Sequence, residues 1–236
     1  MKRPKRLYRG VSVECLATGK WQVRLDGKPA ATPVGNVLHL PTGGLAEAIA
    51  QEWRSQIAET HPETMGLTRL ANTATDRIEP NRRNAVAEIL KFAGSDLLCF
   101  RASGPDLLVA RQSAIWDPLL DWARERYGIH LKTVCGISPI RQPAQDLAAL
   151  ESVLTQFDHF PLTGLVAAAN MLGSAVLALA LTEKRLDAAE AFAASELETT
   201  WQAEIWGVDS EVIACNRKKR DDLELISRFM ALTAAV

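Results

Sequence analysis

The residues of this sequence best suited to acid–base chemistry are carboxylates on predicted helices. Asp117 and Asp121 lie four residues apart, so on a helix they share one polar face. Glu198 stands on a second predicted helix, within the segment SELETTWQAEIWG, residues 195–207. Carboxylates in a closed pocket can act as general acid and base when their pKa values are raised. One hypothesis is therefore a small-molecule enzyme of unrecognised type that uses Asp117, Asp121 and Glu198.

The two aspartates also have an ordinary structural interpretation. Pro118 has no amide donor, so a helix over 105–128 is expected to kink or restart there, with Asp117 as its N-cap. Asp121 is expected to pair with Arg124 on the same helix. Because Asp caps helices so commonly, this interpretation is favoured over an active site.

The sequence contains none of the familiar cofactor or hydrolase motifs. It has no GxGxxG or GxxxxGK[ST] for a nucleotide, and no GxSxG or HExxH. The four histidines are scattered, and none stands at metal-ligand spacing from another His or Cys. The four cysteines form no CxxC pair, which suits reduced thiols better than a disulfide framework.

The segment 195–207 suggests a different kind of site. One apolar stripe of its helix is expected to face the core, and contains Ala194, Leu197, Trp201 and Ile205. Glu198, Gln202 and Trp206, here called the Glu198 ridge, lie beside that stripe. Carboxylate, amide and indole suit a polar-rimmed protein interface in which Trp is the anchor. Alternatively, Trp206 only packs at the helix end before Gly207 stops it, and periodicity does not decide between the two.

The elements that must position these residues change in type along the chain. Residues 7–14 and 20–28 alternate like strands, and Asp26-Gly27 predicts a hairpin turn because Gly accepts a positive φ. From Thr42, the expected N-cap of a helix that runs to about residue 56, the pattern is helical. Further helices are predicted over 67–78, 80–94, 105–128, 143–157, 161–182, 187–206 and 210–232, with short strands at 96–101 and 130–134.

We therefore predict an α+β fold. A small N-terminal antiparallel β domain, residues 1–60, is followed by a larger, mainly α-helical domain, residues 61–236. Asp187 with Glu190 forms a capping-box start for the helix over 187–206.

Composition narrows the class of partner. Lys and Arg number 27 against 28 Asp and Glu, which argues against nucleic acid or an anionic membrane as the main partner. Residues 161–181 carry no charge and are long enough to span a bilayer. They are rich in Ala, with two Gly and internal polar residues, so a fully buried helix is favoured over a membrane-associated protein. The run 217–220, RKKR, is followed by two aspartates and predicts a salt-bridged helix face.

Several segments, taken in order, resemble one protein family. They are YRGVSVE, WQVRLDGKPAATP, LAEAIAQEW, MGLTRLANTATDR, DLLCFR, WDPLLDWARERYG and ELETTWQAEIWG. In these segments the chain resembles the assembly chaperones of the F-type ATP synthase that act on the alpha subunit of its catalytic sector. The resemblance extends from about residue 7 to residue 230.

This resemblance implies a binding protein without enzymatic activity, metal, nucleotide or other cofactor. The implied partner is the unassembled alpha subunit, whose future interface with beta is large, apolar and prone to self-association. A chaperone that covers this interface until beta displaces it prevents aggregation by mass action, without ATP. No apolar signal-peptide core follows the basic start MKRPKRLYR. The expected location is therefore the bacterial cytoplasm, or the mitochondrial matrix for a mature eukaryotic form.

The resemblance also suggests site residues. Glu198, Trp201 and Gln202 match the family's E-x-x-aromatic-Gln motif, and Trp206 matches its Trp-Gly. Asp76 belongs to the matching segment MGLTRLANTATDR. The expected partner-binding residues are thus Glu198, Gln202, Trp206, Trp201 and Asp76.

Two tryptophans that match the family motifs have a structural interpretation as well. Trp53 belongs to the matching Glu-Trp helix, and Trp201 takes the aromatic place of the E-x-x-aromatic-Gln motif. Both are expected mainly to hold the fold.

Overall fold

The computed structural model describes residues 5–207 and 210–234, without the side chains of 210–212. The first four residues of the basic start MKRPKRLYR lie outside the described part of the chain. The four cysteines, predicted to be reduced, are all free: Cys15, Cys99, Cys135 and Cys215.

The chain begins with an antiparallel sheet of three strands in the order β1-β2-β3. The strands are β1 (Val11–Cys15), β2 (Trp21–Leu25) and β3 (Lys28–Pro29). At the turn between β2 and β3, Asp26 has a φ of 48° and Gly27 a φ of 79°. The predicted hairpin is confirmed, because a two-residue turn with positive φ at both positions matches the strand twist.

Helix α1 (Gly43–Arg54) forms where the sequence predicted a helix, and it packs on the sheet. Thr42 is its N-cap, and its Oγ1 accepts a hydrogen bond from the Leu45 amide at 3.1 Å. After α1, a 3-10 turn (Pro62–Thr64) leads to α2 (Gly66–Thr73). The Glu52 carboxylate accepts from the Leu67 and Thr68 amides at 2.8 Å, which satisfies free donors at the start of α2.

The two helices predicted over 67–78 and 80–94 are present, but the segment that joins them is not α-helical. After α2 the chain forms a π-helical turn (Ala74–Ile78) and a 3-10 turn (Glu79–Asn81), and then α3 (Arg82–Gly94). Another 3-10 turn (Leu97–Cys99) precedes β4 (Phe100–Arg101), which pairs in parallel with β5 (Val134–Cys135).

Helix α4 (Asp106–Tyr127) contradicts the predicted restart at Asp117-Pro118. The helix continues through Pro118, and Asp117 does not cap it. Buried residues on both sides of the proline explain the continuity, since Trp116 is 0% and Leu119 4% exposed. Packing of these side chains outweighs the local cost of the missing amide donor.

Six further helices follow in the described part of the chain, which ends at residue 234. They are α5 (Ala144–Leu154), α6 (His159–Leu172), α7 (Ala175–Thr182), α8 (Ala188–Ser195), α9 (Leu197–Trp206) and α10 (Ser210–Thr233). The side chains of Asp187 and Glu190 form the predicted capping box at the start of α8.

Two predicted single helices, 161–182 and 187–206, are each divided in two. Gly173 has a φ of 65° and ends α6, and Ser174 Oγ then caps α7 by accepting from the Leu177 amide. Glu196, with φ −99° and ψ 20°, separates α8 from α9. Neither break interrupts the apolar pattern, so periodicity alone did not reveal them.

The uncharged segment 161–181 forms α6 and α7 instead of one long helix. All residues of α7 from Ala175 to Leu181 are buried, as the expectation of a helix enclosed in protein required. Within the described residues, none of the helices has the length and apolar character needed to cross a bilayer.

The predicted α+β class is confirmed, because a small antiparallel sheet precedes a mostly helical remainder. The chain folds into two compact units, each made of segments that are distant in sequence. The first contains Met1–Arg82, Asp158–Gly164 and Arg228–Val236, and the second contains Arg83–Phe157 and Leu165–Ser227. The division into domains at residue 60 stays a prediction.

Candidate functional site

The Glu198 ridge lies on an exposed face of α9, in the second unit. Glu198 and Gln202 are exposed, and the Trp206 side chain is 84% exposed. Ile205 beside it is 52% exposed. The sequence placed Ile205 on a buried stripe, and this expectation is wrong. The break at Glu196 separates α9 from α8. Within α9, Leu197 at the start of the stripe is buried, and burial decreases along the stripe after it.

Trp201 is half-buried and is not enclosed in the core as expected. The guanidinium of Arg111, on α4, lies 4.9 Å from the centre of its ring. Arg111 Nη1 also donates to Glu204 Oε1 at 2.9 Å. This hydrogen bond holds the pKa of Glu204 below its ordinary value. Arg111 thus covers one face of the Trp201 ring, and its charge is paired with Glu204, another residue of α9.

Gln112, the next residue on α4, binds the ridge itself. Its side chain is fully buried, and its Nε2 donates to Glu198 Oε1 at 2.5 Å. The Ala102 amide donates to Gln112 Oε1 at 2.8 Å. Sequence reasoning missed Gln112 and Arg111, because no spacing in the chain connects them with residues so much later.

Helix α10 contacts the junction of α8 and α9. Lys219 Nζ donates to Glu196 Oε1 at 2.9 Å, and Arg220 lies 4.8 Å from the ring centre of Phe192. Lys218 pairs with Asp222 at 2.6 Å, as predicted for the RKKR run. Most side chains of the basic run therefore contact other residues of this chain, on a face that is exposed to solvent.

An open groove of about 500 Å³ lies between α9 and α10, on a face of α9 that does not include the Glu198 ridge. Its lining residues are Thr199, Thr200, Ala203, Ile213, Asn216, Arg217, Arg220, Asp221 and Glu224. Ile213 is 58% exposed there. Exposed apolar surface is thus present on α10 as well as at the end of α9.

Asp76, the remaining predicted site residue, belongs to the first unit. Its Oδ1 accepts from Thr32 Oγ1 at 2.7 Å and from Asn36 Nδ2 at 3.0 Å. These bonds join the π-helical turn to the loop that follows β3. Trp53, in the same unit, is half-buried with Tyr8 edge-on at 5.5 Å, as expected for a residue that holds the fold.

The pocket that contains Asp117 and Asp121 in the described part of the chain does not contain Glu198, the third carboxylate of the enzyme hypothesis. Arg101 Nη2 lies 2.7 Å from Asp117 Oδ1, in an ion pair without hydrogen-bond geometry. Asp121 pairs with Arg124 at 2.8 Å, as predicted. Both aspartates line an open pocket of about 360 Å³, and Glu198 is not among its lining residues. Across the described residues, His, Cys, Asp and Glu form no group of three or more that could hold a metal ion.

Comparison with known families places the chain in a class of chaperones. The family model of the ATP12 chaperone protein matches residues 5–124, and this chain belongs to that family. The resemblance to ATP synthase assembly chaperones is thereby confirmed at the level of the family. The family match ends before α9, so evidence for the second half comes from whole-chain comparisons.

Two solved structures match nearly the whole chain. Atp12 from Paracoccus denitrificans is 35% identical with a TM-score of 0.93, and the alignment covers 98% of this chain and 99% of that one. Atu1473 from Agrobacterium tumefaciens is 37% identical with a TM-score of 0.91, over 98% and 87% of the two chains. The mitochondrial protein atp12 of Schizosaccharomyces pombe is 20% identical over 204 residues, 81% of this chain and 70% of its own length.

Proposed function

We propose that this chain is an ATP-independent assembly chaperone that binds the unassembled alpha subunit of the ATP synthase catalytic sector. The observation that carries the proposal is the 84% exposure of Trp206 beside Glu198 and Gln202 on one helix face. Membership of the ATP12 chaperone family supports the same class of function.

The chemistry of the Glu198 ridge suits a protein partner. An exposed indole supplies a large apolar contact area, and indoles are enriched among residues that dominate binding energy. Glu198 and Gln202 place a carboxylate and an amide next to it, as in the polar rim of an interface. Ile205, 52% exposed, extends the apolar area at the end of α9.

The proposed mechanism is competitive covering. Free alpha exposes the surface that later meets beta, and such a surface self-associates when it is left uncovered. Binding of the chaperone lowers the concentration of uncovered alpha by mass action, and beta displaces the chaperone by occupying the same surface. No step of this cycle requires nucleotide hydrolysis or another chemical reaction, so catalysis by Asp117, Asp121 or Glu198 is not part of it.

Trp201 and Asp76 are proposed as secondary contacts. One face of Trp201 is covered by Arg111, so only the remaining face is offered to a partner. Asp76 Oδ1 is used by Thr32 and Asn36, so Oδ2 is the oxygen proposed for alpha. The proposed location is the bacterial cytoplasm, or the mitochondrial matrix for a mature eukaryotic form. Bacterial and mitochondrial relatives support this choice.

The test is binding to purified, unassembled alpha, with beta as the control. The measurements are complex formation by gel filtration and suppression of alpha aggregation by light scattering. We expect a complex with alpha only. Failure to bind alpha, or equal binding to both subunits, would contradict the proposal.

A charge-reversal pair locates the surface. Glu198→Lys is expected to weaken alpha binding at least tenfold while the chain stays folded. Glu125→Lys, at an exposed carboxylate of α4, is the matched control and is expected to bind normally. If both variants bind alpha like the unmodified chain, Glu198 is not part of the contact.

A further inference from the structure

We infer that Gln112 is a positioning residue that holds the Glu198 carboxylate ready for a hydrogen-bond donor or cation on the alpha subunit. The inference deepens the proposed function and rests on it. Gln112 itself is fully buried and does not touch the partner. Its effect on binding is exerted through Glu198, with which it forms a hydrogen bond across two helices.

The orientation of the Gln112 amide is fixed by its neighbours. The Ala102 amide can only donate a hydrogen bond, and its nitrogen lies 2.8 Å from Gln112 Oε1. The amide oxygen therefore faces Ala102, and the NH₂ group must face Glu198. Because Gln112 is 0% exposed, an unused N–H group there would be costly. Gln112 thus requires an acceptor at the place where Glu198 Oε1 lies.

Glu198 keeps half of its acceptor capacity for a partner. Oε1 accepts from Gln112, and among the described residues no donor contacts Oε2. Arg111, the residue before Gln112 on α4, is engaged with Glu204 and Trp201, and no ion pair in the described part of the chain joins it to Glu198. An exposed carboxylate with one anchored oxygen and one open oxygen suits an Arg, a Lys or a backbone N–H group.

Anchoring one oxygen restricts the rotation of an otherwise flexible side chain. A Glu side chain that is ordered before binding loses less conformational entropy when the partner arrives. Removal of the anchor should therefore weaken alpha binding about tenfold even though Glu198 is still present. If Gln112 only accepted the hydrogen bond from the Ala102 amide, its substitution would change alpha binding by the same factor whichever residue stands at position 198.

A double-mutant cycle separates these two roles. Gln112→Glu keeps an acceptor for the Ala102 amide but turns a second carboxylate toward Glu198. In Gln112→Glu with Glu198→Gln, the amide and the carboxylate exchange places and the hydrogen bond between them is restored in reverse. We would measure the Kd for purified alpha and the free energy of unfolding for the four chains of the cycle.

We expect the effects of the two substitutions on the affinity for alpha to be non-additive. Gln112→Glu should weaken alpha binding about tenfold when residue 198 is Glu, and less than twofold when it is Gln. Equal losses in both backgrounds would overturn the positioning role. Unfolding data show which fraction of each variant is folded, so that instability is not mistaken for weak binding.

A second measurement does not depend on alpha and remains useful if a variant fails to fold. NMR of the Gln112 side-chain amide hydrogens should show slow exchange in the unmodified chain. Glu198→Ala should shift these signals and speed their exchange, whereas Glu204→Ala, which removes the neighbouring acceptor of Arg111, should not. Unchanged signals in Glu198→Ala would overturn the positioning of Glu198 by Gln112. Absence of alpha binding by the unmodified chain, with the NMR result as expected, would instead overturn the proposed function and the role of the positioned carboxylate in binding alpha.

Discussion

Trp116 Nε1 donates a hydrogen bond to the carbonyl oxygen of Ala194 at 2.9 Å. The two residues are buried, at 0% and 3% exposure. Trp116 lies on α4, and Ala194 lies in the last turn of α8, just before the break that begins α9. The same helix, α4, carries Gln112 and Arg111, which contact α9. Helix α4 therefore contacts both the end of α8, where the chain enters α9, and the residues of α9 beside its exposed face.

Trp116→Phe is expected to destabilise the fold strongly. The variant leaves the buried Ala194 carbonyl without its donor and creates a cavity, so we expect a loss of about 2–4 kcal/mol in the free energy of unfolding. Urea unfolding measures this. Trp122→Phe, at a half-buried position on the same helix, is the control and should cost less than about 1 kcal/mol. Comparable losses in the two variants would contradict the special role of Trp116.

Trp206→Ala is expected to weaken alpha binding without destabilising the chain. An 84% exposed side chain contributes little to the fold, so the unfolding free energy should change by less than about 0.5 kcal/mol. As an interface anchor its loss should lower affinity by about tenfold or more. Ile137→Ala, at a 96% exposed apolar residue, is the matched control. Equal affinities for alpha in both variants would remove Trp206 from the proposed contact.

Asp96 is expected to make stability depend on pH. Its Oδ1 accepts from Ser174 Oγ at 2.7 Å and its Oδ2 from the Val176 amide at 3.1 Å. Complete burial nevertheless raises the pKa of Asp96 to about 6. In the unfolded chain the pKa of this carboxyl group is about 3.9. Between those values the folded chain holds a proton that the unfolded chain releases, so the contribution of Asp96 is complete below about pH 4 and is lost as pH rises through about 6.

The pH effect of Asp96 is isolated by Asp96→Asn, which has no charge at any pH. From about pH 7 to about pH 4.5 the unmodified chain should gain about 2 kcal/mol of unfolding free energy relative to the variant. Urea unfolding of both chains at the two pH values measures the difference. A difference that does not change with pH would show that Asp96 titrates normally.

Gly164→Ala is expected to overpack the first unit. A Cβ at this position on α6 would overlap Met230 Cγ and lie 3.0 Å from its Sδ. The expected loss is about 1–3 kcal/mol in the free energy of unfolding. Gly94→Ala, where a Cβ meets no atom within 4 Å, should be neutral or stabilise the chain by up to about 1 kcal/mol. Thermal melts of both variants show whether a loss of stability comes from the tight contact with Met230 or from the replacement of glycine as such.

Local sequence signals predicted the local structure well. The Asp26-Gly27 turn, the Thr42 cap and the Asp187–Glu190 capping box were all predictable, because each depends on residues within four positions of one another. The resemblance predicted the order of sheet and helices, which the structure confirms.

Errors occurred where distant contacts override local preference. Pro118 should interrupt a helix, but the burial of Trp116 and Leu119 keeps α4 continuous. The break before Ser174 is supported by Asp96, which is 78 residues away in the sequence. Tertiary packing decides these cases, and a single sequence contains no short-range record of it.

The candidate surface was predictable only in part. Helical periodicity placed Glu198, Gln202 and Trp206 on one face, and the structure shows that face exposed. The buried Gln112 behind it could not be found, because the pair is 86 residues apart. Periodicity reports which residues of one helix share a face, whereas the support of that face comes from a different helix.

The contrast between the solvent-exposed Trp206 and the enclosed Trp116 has an optical consequence. Indole emission shifts to the blue when water is removed, and soluble quenchers such as iodide reach only rings that stand in solvent. Emission from Trp206 should therefore be red-shifted and easily quenched in the free chain, and shielded once a partner covers α9. Quenching of Trp206 emission would therefore follow binding at the proposed surface of α9 without an added label.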